Sequence, residues 1–220
     1  MRAQSAANHI RRTISQGQLL PGQKLNEVAL ANELGVSRNT LREALSALAG
    51  EGIITAIPYR GVFIARPTSE DVRDLFLARV AVEPGAVRWG DFVDLKALER
   101  VVEGAEKERD SGRFHNVGDA NQEFHRLLVS SVRSESLDAM MGSLLARMRL
   151  AFLTIGEIDT TFHIPYIDVN RSIVDLLKQG DRQSAAEKLA TSLRDTGSRA
   201  ARLLEEFDSE TPHRARREWL

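Results

Sequence analysis

Residues 27–48, EVALANELGVSRNTLREALSAL, constrain the fold of this chain more than any other segment. Apolar side chains repeat at the spacing of one helix face as far as Leu34, and Gly35 follows, where a left-handed backbone costs least. Ser37 is well placed as the N-cap of a second helix, since its hydroxyl accepts a free backbone N–H. The segment therefore predicts two short helices joined by a tight turn.

The second of these helices combines an apolar face with a polar open end. The apolar face consists of Leu41, Ala44, Leu45 and Leu48. The cationic, amide and hydroxyl side chains at the open end are Ser37, Arg38, Asn39, Thr40 and Arg42. A helix-turn-helix has this arrangement, because the first turn of its recognition helix meets base edges and phosphates. An ordinary helical hairpin is the alternative, since a glycine turn between amphipathic helices is common.

The flanking sequence favours a winged helix over an isolated hairpin of helices. A helix is predicted upstream at 6–16. Downstream, the β-branched runs 53–57 and 62–65 flank a turn at 58–61, which predicts a two-stranded hairpin. A hairpin directly after a helix-turn-helix is a wing, and Arg60 at its tip is within reach of a groove or a phosphate. A solvated loop position is the alternative for Arg60.

Charge is distributed unevenly along the chain. The 220 residues include 30 basic and 31 acidic side chains, but residues 1–66 have eight basic residues against four acidic ones. A basic head and an acidic body are expected when one domain neutralises phosphates and the other does not. Because the basic excess is modest, one copy is expected to bind DNA weakly, and two copies on one duplex are the natural remedy.

These motifs resemble those of GntR-type bacterial transcription regulators. The matching residues are Pro21-Gly22, Leu25-x-Glu27, Leu30-Ala31, Leu34-Gly35-Val36-Ser37-Arg38-x-Thr40-x-Arg42-Glu43-Ala44-Leu45, Leu48, Glu51-Gly52 and Arg60-Gly61-x-Phe63-Ile64. The rest of the chain resembles the all-helical effector domain of the FadR-type branch, called FCD. The resemblance implies that the open end of the second helix contacts DNA together with the wing residues Arg60 and Gly61. Some relatives place an Arg where this chain has Val28, and a contact made there is expected to be absent.

The fold class predicted for the whole chain is mostly α, in two domains. Residues 1–67 are predicted to form the winged helix-turn-helix, 68–208 an all-helical bundle for effector binding and dimerisation, and 209–220 a basic, untethered tail. Thr68 and Asp71 have the spacing of a capping box, which places the start of the second domain. The six helices predicted in that domain span 69–89, 94–111, 116–132, 134–156, 166–179 and 181–206.

Composition narrows the class of protein further. The chain contains no cysteine, so neither a disulfide framework nor a thiol metal site is available. The sequence has no apolar run of about 18 residues, and its N-terminus lacks the apolar core of a signal peptide. A soluble cytoplasmic protein without a membrane partner is therefore predicted.

Four polar side chains of the predicted bundle are candidates for an effector site. Asn121 and His125 lie one turn apart on one helix face. FCD domains that hold a metal have Asp or Asn and His at these two positions, and two later His that correspond here to Asn170 and Ser192. Asn and Ser are weak ligands for first-row transition metals, so no tight Zn²⁺ or Ni²⁺ site is expected and His125 with Asn121 is at most a weak remnant. His163, in a predicted loop, is the alternative source of a second imidazole.

The same four side chains suit a hydrogen-bonding pocket for a small organic ligand, and an arginine would add charge to it. Arg79 and Glu83 match an Arg and a Glu that FCD domains often carry on their first helix, and Arg grips a carboxylate in a bidentate way. A surface ion pair one turn apart is the alternative for these two residues, and a core histidine bonded to a neighbour is the alternative for His125. Arg147 and Arg149 share a later helix, and the sequence does not decide which one points inward.

Together these features predict a bacterial, sequence-specific transcription regulator rather than an enzyme. It is expected to bind a palindromic double-stranded operator as a homodimer, to take a small organic effector and to need no cofactor. By resemblance, the expected role is repression relieved by a carboxylate-bearing metabolite, although some relatives activate. Two alternatives stay open: a DNA-binding dimer without an effector, and a metal-dependent helical enzyme or sensor that uses His125.

Overall fold

The computed structural model describes residues 2–15 and 17–210, and it consists of a winged helix followed by a helical body. The winged-helix head contains α1 (Arg2–Ser15), α2 (Glu27–Glu33), α3 (Arg38–Gly50), β1 (Ile54–Ile57) and β2 (Gly61–Ile64). The helical body contains α4 (Ser69–Trp89), α5 (Leu95–Asp110), α6 (Phe114–Ser130), α7 (Glu135–Ile158), α8 (Pro165–Lys178) and α9 (Arg182–Glu210). The mostly α fold class predicted from the sequence is confirmed.

Local signals define the helix-turn-helix. The Asn26 side chain accepts a hydrogen bond from the Ala29 backbone N–H and caps α2, and Ser37 caps α3 in the same way through the N–H of Thr40. Gly35 lies between the two helices with φ 60°, in the left-handed region that glycine adopts without a Cβ penalty. The predicted turn and the predicted Ser37 cap of the second helix are therefore confirmed.

The wing is a short antiparallel hairpin directly after α3. Its register pairs Ile54 with Ile64, and the turn between the strands includes Tyr59 at φ 62°. The segment before α2 lies along the other edge of the hairpin, where Lys24 forms an isolated bridge to Phe63. This third segment fixes the wing to the start of the helix-turn-helix.

The helical body begins with a reciprocal cap. The Thr68 hydroxyl accepts a hydrogen bond from the Asp71 backbone N–H at 3.2 Å, and the Asp71 carboxylate accepts one from the Thr68 N–H at 2.8 Å. The predicted capping box is thus confirmed, with Asp in place of Glu. From this cap α4 runs along α9, and α5, α6, α7 and α8 pack around the same apolar core.

Two helix ends differ from the predictions by four residues. α1 begins at Arg2 instead of residue 6, because Ala3, Ala6 and Ala7 extend its apolar face toward the N-terminus. Its predicted end, Gln16, lies outside the described residues. α9 continues to Glu210, beyond the predicted end at 206, and the remainder of the predicted tail, 211–220, lies outside the described residues.

Each part has an apolar core, and α7 contributes to both. Leu150, fully buried, belongs to the core of the head together with Ile10 and Ile14 of α1. Met148 and Ile155 of the same helix belong to the core of the body. The head therefore packs directly against α7 and is not held by its connecting segment alone.

The apolar composition of α7 is explained by its contribution to both cores. Among residues 2–15 and 17–210, α7 is the one helix long and apolar enough to cross a membrane. Half of its apolar window is buried inside the protein, and the core helix of a soluble protein passes the same test. Its composition is therefore weak evidence for a membrane span.

Candidate functional site

The exposed end of α3 is the first candidate site. Leu41, Ala44, Leu45 and Leu48 bury one face of the helix against the head. The Ser37 hydroxyl lies 2.9 Å from that of Thr40, while Arg38 and Asn39 are exposed beside them. Because the helix starts here, its unpaired backbone N–H groups and the macrodipole add to the positive charge. The structure thus brings the predicted recognition residues to one exposed, cationic surface.

Arg42 borders a cleft between α2 and α3. The cleft has a volume of about 330 Å³ and is lined by Glu27, Val28, Arg38, Asn39, Leu41 and Arg42. The Arg42 Nε atom lies 3.9 Å from a Glu27 carboxylate oxygen, and 77% of the Arg42 side chain is exposed. An exposed ion pair this long contributes little, so the guanidinium can turn to a phosphate or a base at small cost. Val28, where no DNA contact is expected, lines the same cleft.

The wing adds a second cationic element, including one residue that the sequence analysis missed. Arg60 is half-buried, and its backbone N–H donates to the Ile57 carbonyl oxygen at 3.1 Å. Gly61 has φ 111°, and a Cβ there would lie 3.1 Å from Lys24 Cε. Lys24 is exposed beside the predicted wing residues. The sequence did not predict this position, because it depends on the bridge between Lys24 and Phe63 of β2.

A buried ionic cluster in the helical body is the second candidate site. The Arg79 Nε–H donates to Glu83 Oε1 at 2.5 Å, and His125 Nδ1 lies 2.6 Å from Glu83 Oε2. All three side chains are buried, Arg79 at 2% exposure and Glu83 at 0%. The alternative of a surface ion pair for Arg79 and Glu83 is therefore wrong, because both side chains are buried. The alternative for His125, a core histidine bonded to a neighbour, agrees with its contact to Glu83.

The charges in this cluster follow from burial and proximity. Burial disfavours the ionised form of Glu83, but the Arg79 guanidinium and the His125 ring outweigh it and lower the pKa of Glu83. Burial lowers the pKa of His125, although Glu83 opposes this shift. Since an ionised carboxylate only accepts, His125 donates through Nδ1 as a neutral ring and keeps a lone pair on Nε2.

Two amides lie between α6 and α8, and one of them, Asn121, is one helical turn from His125. The Asn170 side chain of α8 donates to Asn121 Oδ1 of α6 at 2.9 Å, and both residues are buried. They line a small internal cavity of about 10 Å³ together with His163 and apolar side chains of α5, α6 and α8. This volume accommodates about one water molecule. We call the buried polar residues Arg79, Glu83, Asn121, His125 and Asn170 the polar centre, and the helical body is closed around it in this structure.

Ser192, the remaining predicted effector residue, lies elsewhere. It lines an open groove of about 610 Å³ between α8 and α9, together with Tyr166, Val169 and Lys188. The donor set therefore does not fit a transition metal, because Asn121 and Asn170 bond to each other and Ser192 faces the outer groove. Within the described part of the chain no group of three or more His, Asp and Glu side chains is placed to hold an ion.

His163 enters the site from the connection between α7 and α8. Its ring packs edge-on against Phe152 at a centroid distance of 4.5 Å, and a Cβ at Gly118 would lie 2.9 Å from His163 Cδ2. Among the described residues, His163 Nδ1 and Arg79 Nη2 are the buried side-chain polar atoms without a hydrogen-bond partner. Burial, reinforced by Arg149 and other nearby cations, lowers the pKa of His163 to about 3. The ring is therefore neutral at pH 7.

Fold and sites together define a two-part protein with a winged-helix head and an all-helical body that encloses a polar centre. Residues 2–64 match the model of bacterial regulatory proteins of the gntR family, and residues 74–195 match the FCD domain model. The chain therefore belongs to the gntR family, in the FadR-type branch that carries an FCD domain.

Named relatives agree with this assignment. The uncharacterized HTH-type transcriptional regulator YdhC of Bacillus subtilis (strain 168) is 32% identical over 61% of this chain, and the Nta operon transcriptional regulator of Aminobacter aminovorans is 33% identical over 60%. The matched regions cover 62% and 64% of those two proteins, slightly less than two thirds of each.

Solved structures agree as well. A GntR transcriptional regulator from Rhodococcus sp. RHA1 is 32% identical, with a TM-score of 0.81 over 90% of this chain and 97% of that one. E. coli McbR/YncC is 20% identical, with a TM-score of 0.78 over 94% of this chain and 99% of that one, and shows the same fold.

Proposed function

We propose that this chain is a sequence-specific DNA-binding transcription regulator whose operator affinity changes when a small carboxylate binds inside the helical body. Membership of the gntR family and the regulators among its relatives support the first half of the proposal. Regulators of this family bind operators as dimers, which supports a cytoplasmic homodimer on a palindromic duplex. We propose that the protein represses transcription and that ligand binding relieves this repression.

The DNA-binding half rests on the cationic end of α3. The proposed contacts are Ser37, Arg38, Asn39, Thr40 and Arg42 on α3, with Arg60, Gly61 and Lys24 on and beside the wing. Arginine reads guanine through two parallel hydrogen bonds, and an exposed lysine neutralises phosphate without reading sequence. The exposure of Arg42 beside the cleft supports its role in base or phosphate contact.

The effector half rests on the unused donor of Arg79. Its Nη2 atom is buried without a hydrogen-bond partner, while its Nε–H is bonded to Glu83. A buried unsatisfied donor on a charged group is costly, and a carboxylate satisfies a guanidinium better than other common acceptors. We assign Arg79, Asn121, His125 and Asn170 to the ligand, with Glu83 positioning Arg79 and His125.

Ligand entry requires a change of shape. A cavity of about 10 Å³ is too small for an organic acid, so a bound carboxylate must separate some of the helices around Asn121 and Asn170. A ligand that favours this wider state shifts the protein toward it by its differential affinity for the two states. If the wider state spaces the two heads of a dimer differently, operator affinity changes by the same factor.

The DNA-binding half is tested by selecting bound duplexes from a random pool at low salt. The wild type is expected to enrich a short palindrome, and Arg42→Ala to lose that enrichment. Equal enrichment by both proteins contradicts the role of Arg42, and no enrichment by either contradicts DNA binding. Arg126→Ala, which removes an exposed arginine of α6, is the matched control.

The effector half is tested by calorimetric titration with acetate, lactate, succinate, citrate and benzoate. At least one is expected to bind, and Arg79→Lys is expected to weaken it at least tenfold, because lysine keeps the charge but loses the planar fork. The exposed Arg126→Lys exchange is the control. Undiminished binding to Arg79→Lys contradicts the assigned site, and turnover of a bound carboxylate would support the enzyme alternative.

A further inference from the structure

Arg149 of α7 is a buried arginine that the proposed function does not use. Its exposure is 3%, its Nη1 lies 2.6 Å from Asp119 Oδ1, and its Nη2 lies 2.8 Å from His115 Nε2. Because a guanidinium has only donors, Asp119 and His115 both accept from it. These two contacts place the Arg149 guanidinium against the N-terminal half of α6.

One side of this arrangement faces the junction with the head. The Cε1 atom of His115 lies 3.9 Å from the position of a Cβ at Gly17, and Cδ2 of Leu153, one turn along α7, lies 3.8 Å from it. Gly17 ends α1 through a hydrogen bond from its N–H to the Ile14 carbonyl oxygen at 2.9 Å. Leu150, next to Arg149 in the chain, is part of the head's core.

The other side faces the internal cavity. Gly118 and Asp119 are neighbours on α6. The ring of His163 lies close to Gly118, and the guanidinium of Arg149 bonds to Asp119. Phe152, three residues along α7 from Arg149, packs on the same imidazole. His163 lines the cavity with Asn121 and Asn170. Arg149 therefore stands between the polar centre of the body and the end of α1.

We propose that Arg149 couples the effector cavity to the head, by exchanging its contacts with Asp119 and His115 for the carboxylate of a bound ligand. This inference rests on the proposed function, because it needs an anionic ligand in the cavity. Asp119 and the ligand compete for one guanidinium, so each weakens the hold of the other. When Arg149 turns inward, His115 and Asp119 lose their common partner beside Gly17, and the contacts of α1 with α7 and of Gly17 with His115 loosen.

The variant that isolates this exchange is Asp119→Asn, which keeps the shape of the side chain and removes its charge. Its matched control is Glu123→Gln on the same helix, where the carboxylate pairs with Arg126 on the surface. Asp119→Asn is expected to bind the carboxylate at least threefold more tightly, because the charge of Asp119 no longer competes with the ligand for Arg149. The ratio of operator dissociation constants with and without the carboxylate is expected to approach one. Glu123→Gln is expected to keep both wild-type values.

Hydrogen exchange without any ligand gives a second measurement. The N–H groups of Gly17 and Gln18, bonded to the carbonyl oxygens of Ile14 and Thr13, are expected to exchange at least fivefold faster in Asp119→Asn than in Glu123→Gln. Unchanged exchange there, or an undiminished ligand effect on operator affinity in Asp119→Asn, overturns the inference and leaves the proposed function intact. Failure of the wild type to bind any of the five carboxylates overturns the proposed function itself.

Discussion

Arg42, at the start of α3, has 77% of its side chain exposed, whereas Arg79, inside the helical body, has 2%. The first arginine has a distant carboxylate and open solvent around it, and the second has a bonded carboxylate and an unused donor. An exposed charged side chain can contact a ligand and contributes little to folding stability. A buried charged side chain affects both ligand binding and stability, because its partners are part of the core. Substitutions in the two regions should therefore affect different measurements.

The largest effect is expected from breaking the buried side of this comparison with Glu83→Ala. The change leaves the Arg79 charge buried without its partner, which typically costs about 3–5 kcal/mol of unfolding free energy. Guanidinium unfolding monitored by circular dichroism measures the loss. Glu83→Gln keeps one acceptor oxygen for the Arg79 Nε–H, and its NH2 group can donate to Nδ1 of His125 only in the other neutral tautomer, so it is expected to lose less than Glu83→Ala. The surface variant Glu123→Ala is expected to stay within about 0.5 kcal/mol of wild type. A loss below about 1 kcal/mol for Glu83→Ala would contradict the ionic cluster.

Breaking the exposed side with Arg42→Ala should leave stability almost unchanged and act on DNA instead. Loss of a bidentate contact costs about 1–3 kcal/mol of binding free energy. Fluorescence anisotropy on the selected operator measures this change, and unfolding under the same buffer should shift by no more than about 0.5 kcal/mol. A stability loss larger than the affinity loss would reverse the assignment of the two regions.

Titration sharpens the comparison, because the buried region couples protonation to folding. The pKa of His163 is about 3 in the folded chain, against about 6.5 for an unfolded histidine. Between these values the unfolded chain binds a proton that the folded one does not, so stability falls as pH decreases, by up to about 1.4 kcal/mol per unit. His163→Phe is expected to flatten this slope in urea unfolding between pH 6.5 and about 4. The control is His9→Phe in α1, and a slope equal to wild type in His163→Phe would contradict the buried neutral ring.

The smallest effect is expected at the cap where α4 begins, which involves neither region. Thr68→Ala removes the acceptor of the Asp71 backbone N–H and should cost about 1 kcal/mol of unfolding free energy, with no change in DNA or carboxylate affinity. Thr191→Ala, at an exposed position of α9, is the control. An effect on binding larger than the effect on stability would show that this end of α4 moves with the ligand.

The sequence predicted the head well because its signals are local. Gly35 and Ser37 act within one turn of their own positions, and the structure shows the left-handed glycine and the capping hydroxyl there. The resemblance to known regulators then covered the remaining residues of the head. Lys24 escaped prediction because its place beside the wing depends on pairing with β2, some 40 residues further along the chain.

Prediction of the polar centre was less complete because it forms between distant helices. Spacing placed Arg79 and Glu83 on one face of a helix but did not say whether that face is buried, and the partner of Glu83, His125, is 42 residues away. Helical periodicity likewise did not choose between Arg147 and Arg149, which packing resolves in favour of Arg149. His163 was considered only as a metal ligand, since nothing local shows that Gly118 makes room for its ring.

The position of Leu150 limits how this protein can be assembled from interchangeable parts. A head cut from the chain at residue 67 leaves Leu150, a fully buried side chain of its own core, behind on α7. Recombination that joins this head to a foreign body succeeds only when the new helix presents a side chain of similar volume at the same place. The head and the body therefore have to be complementary at one face of α7.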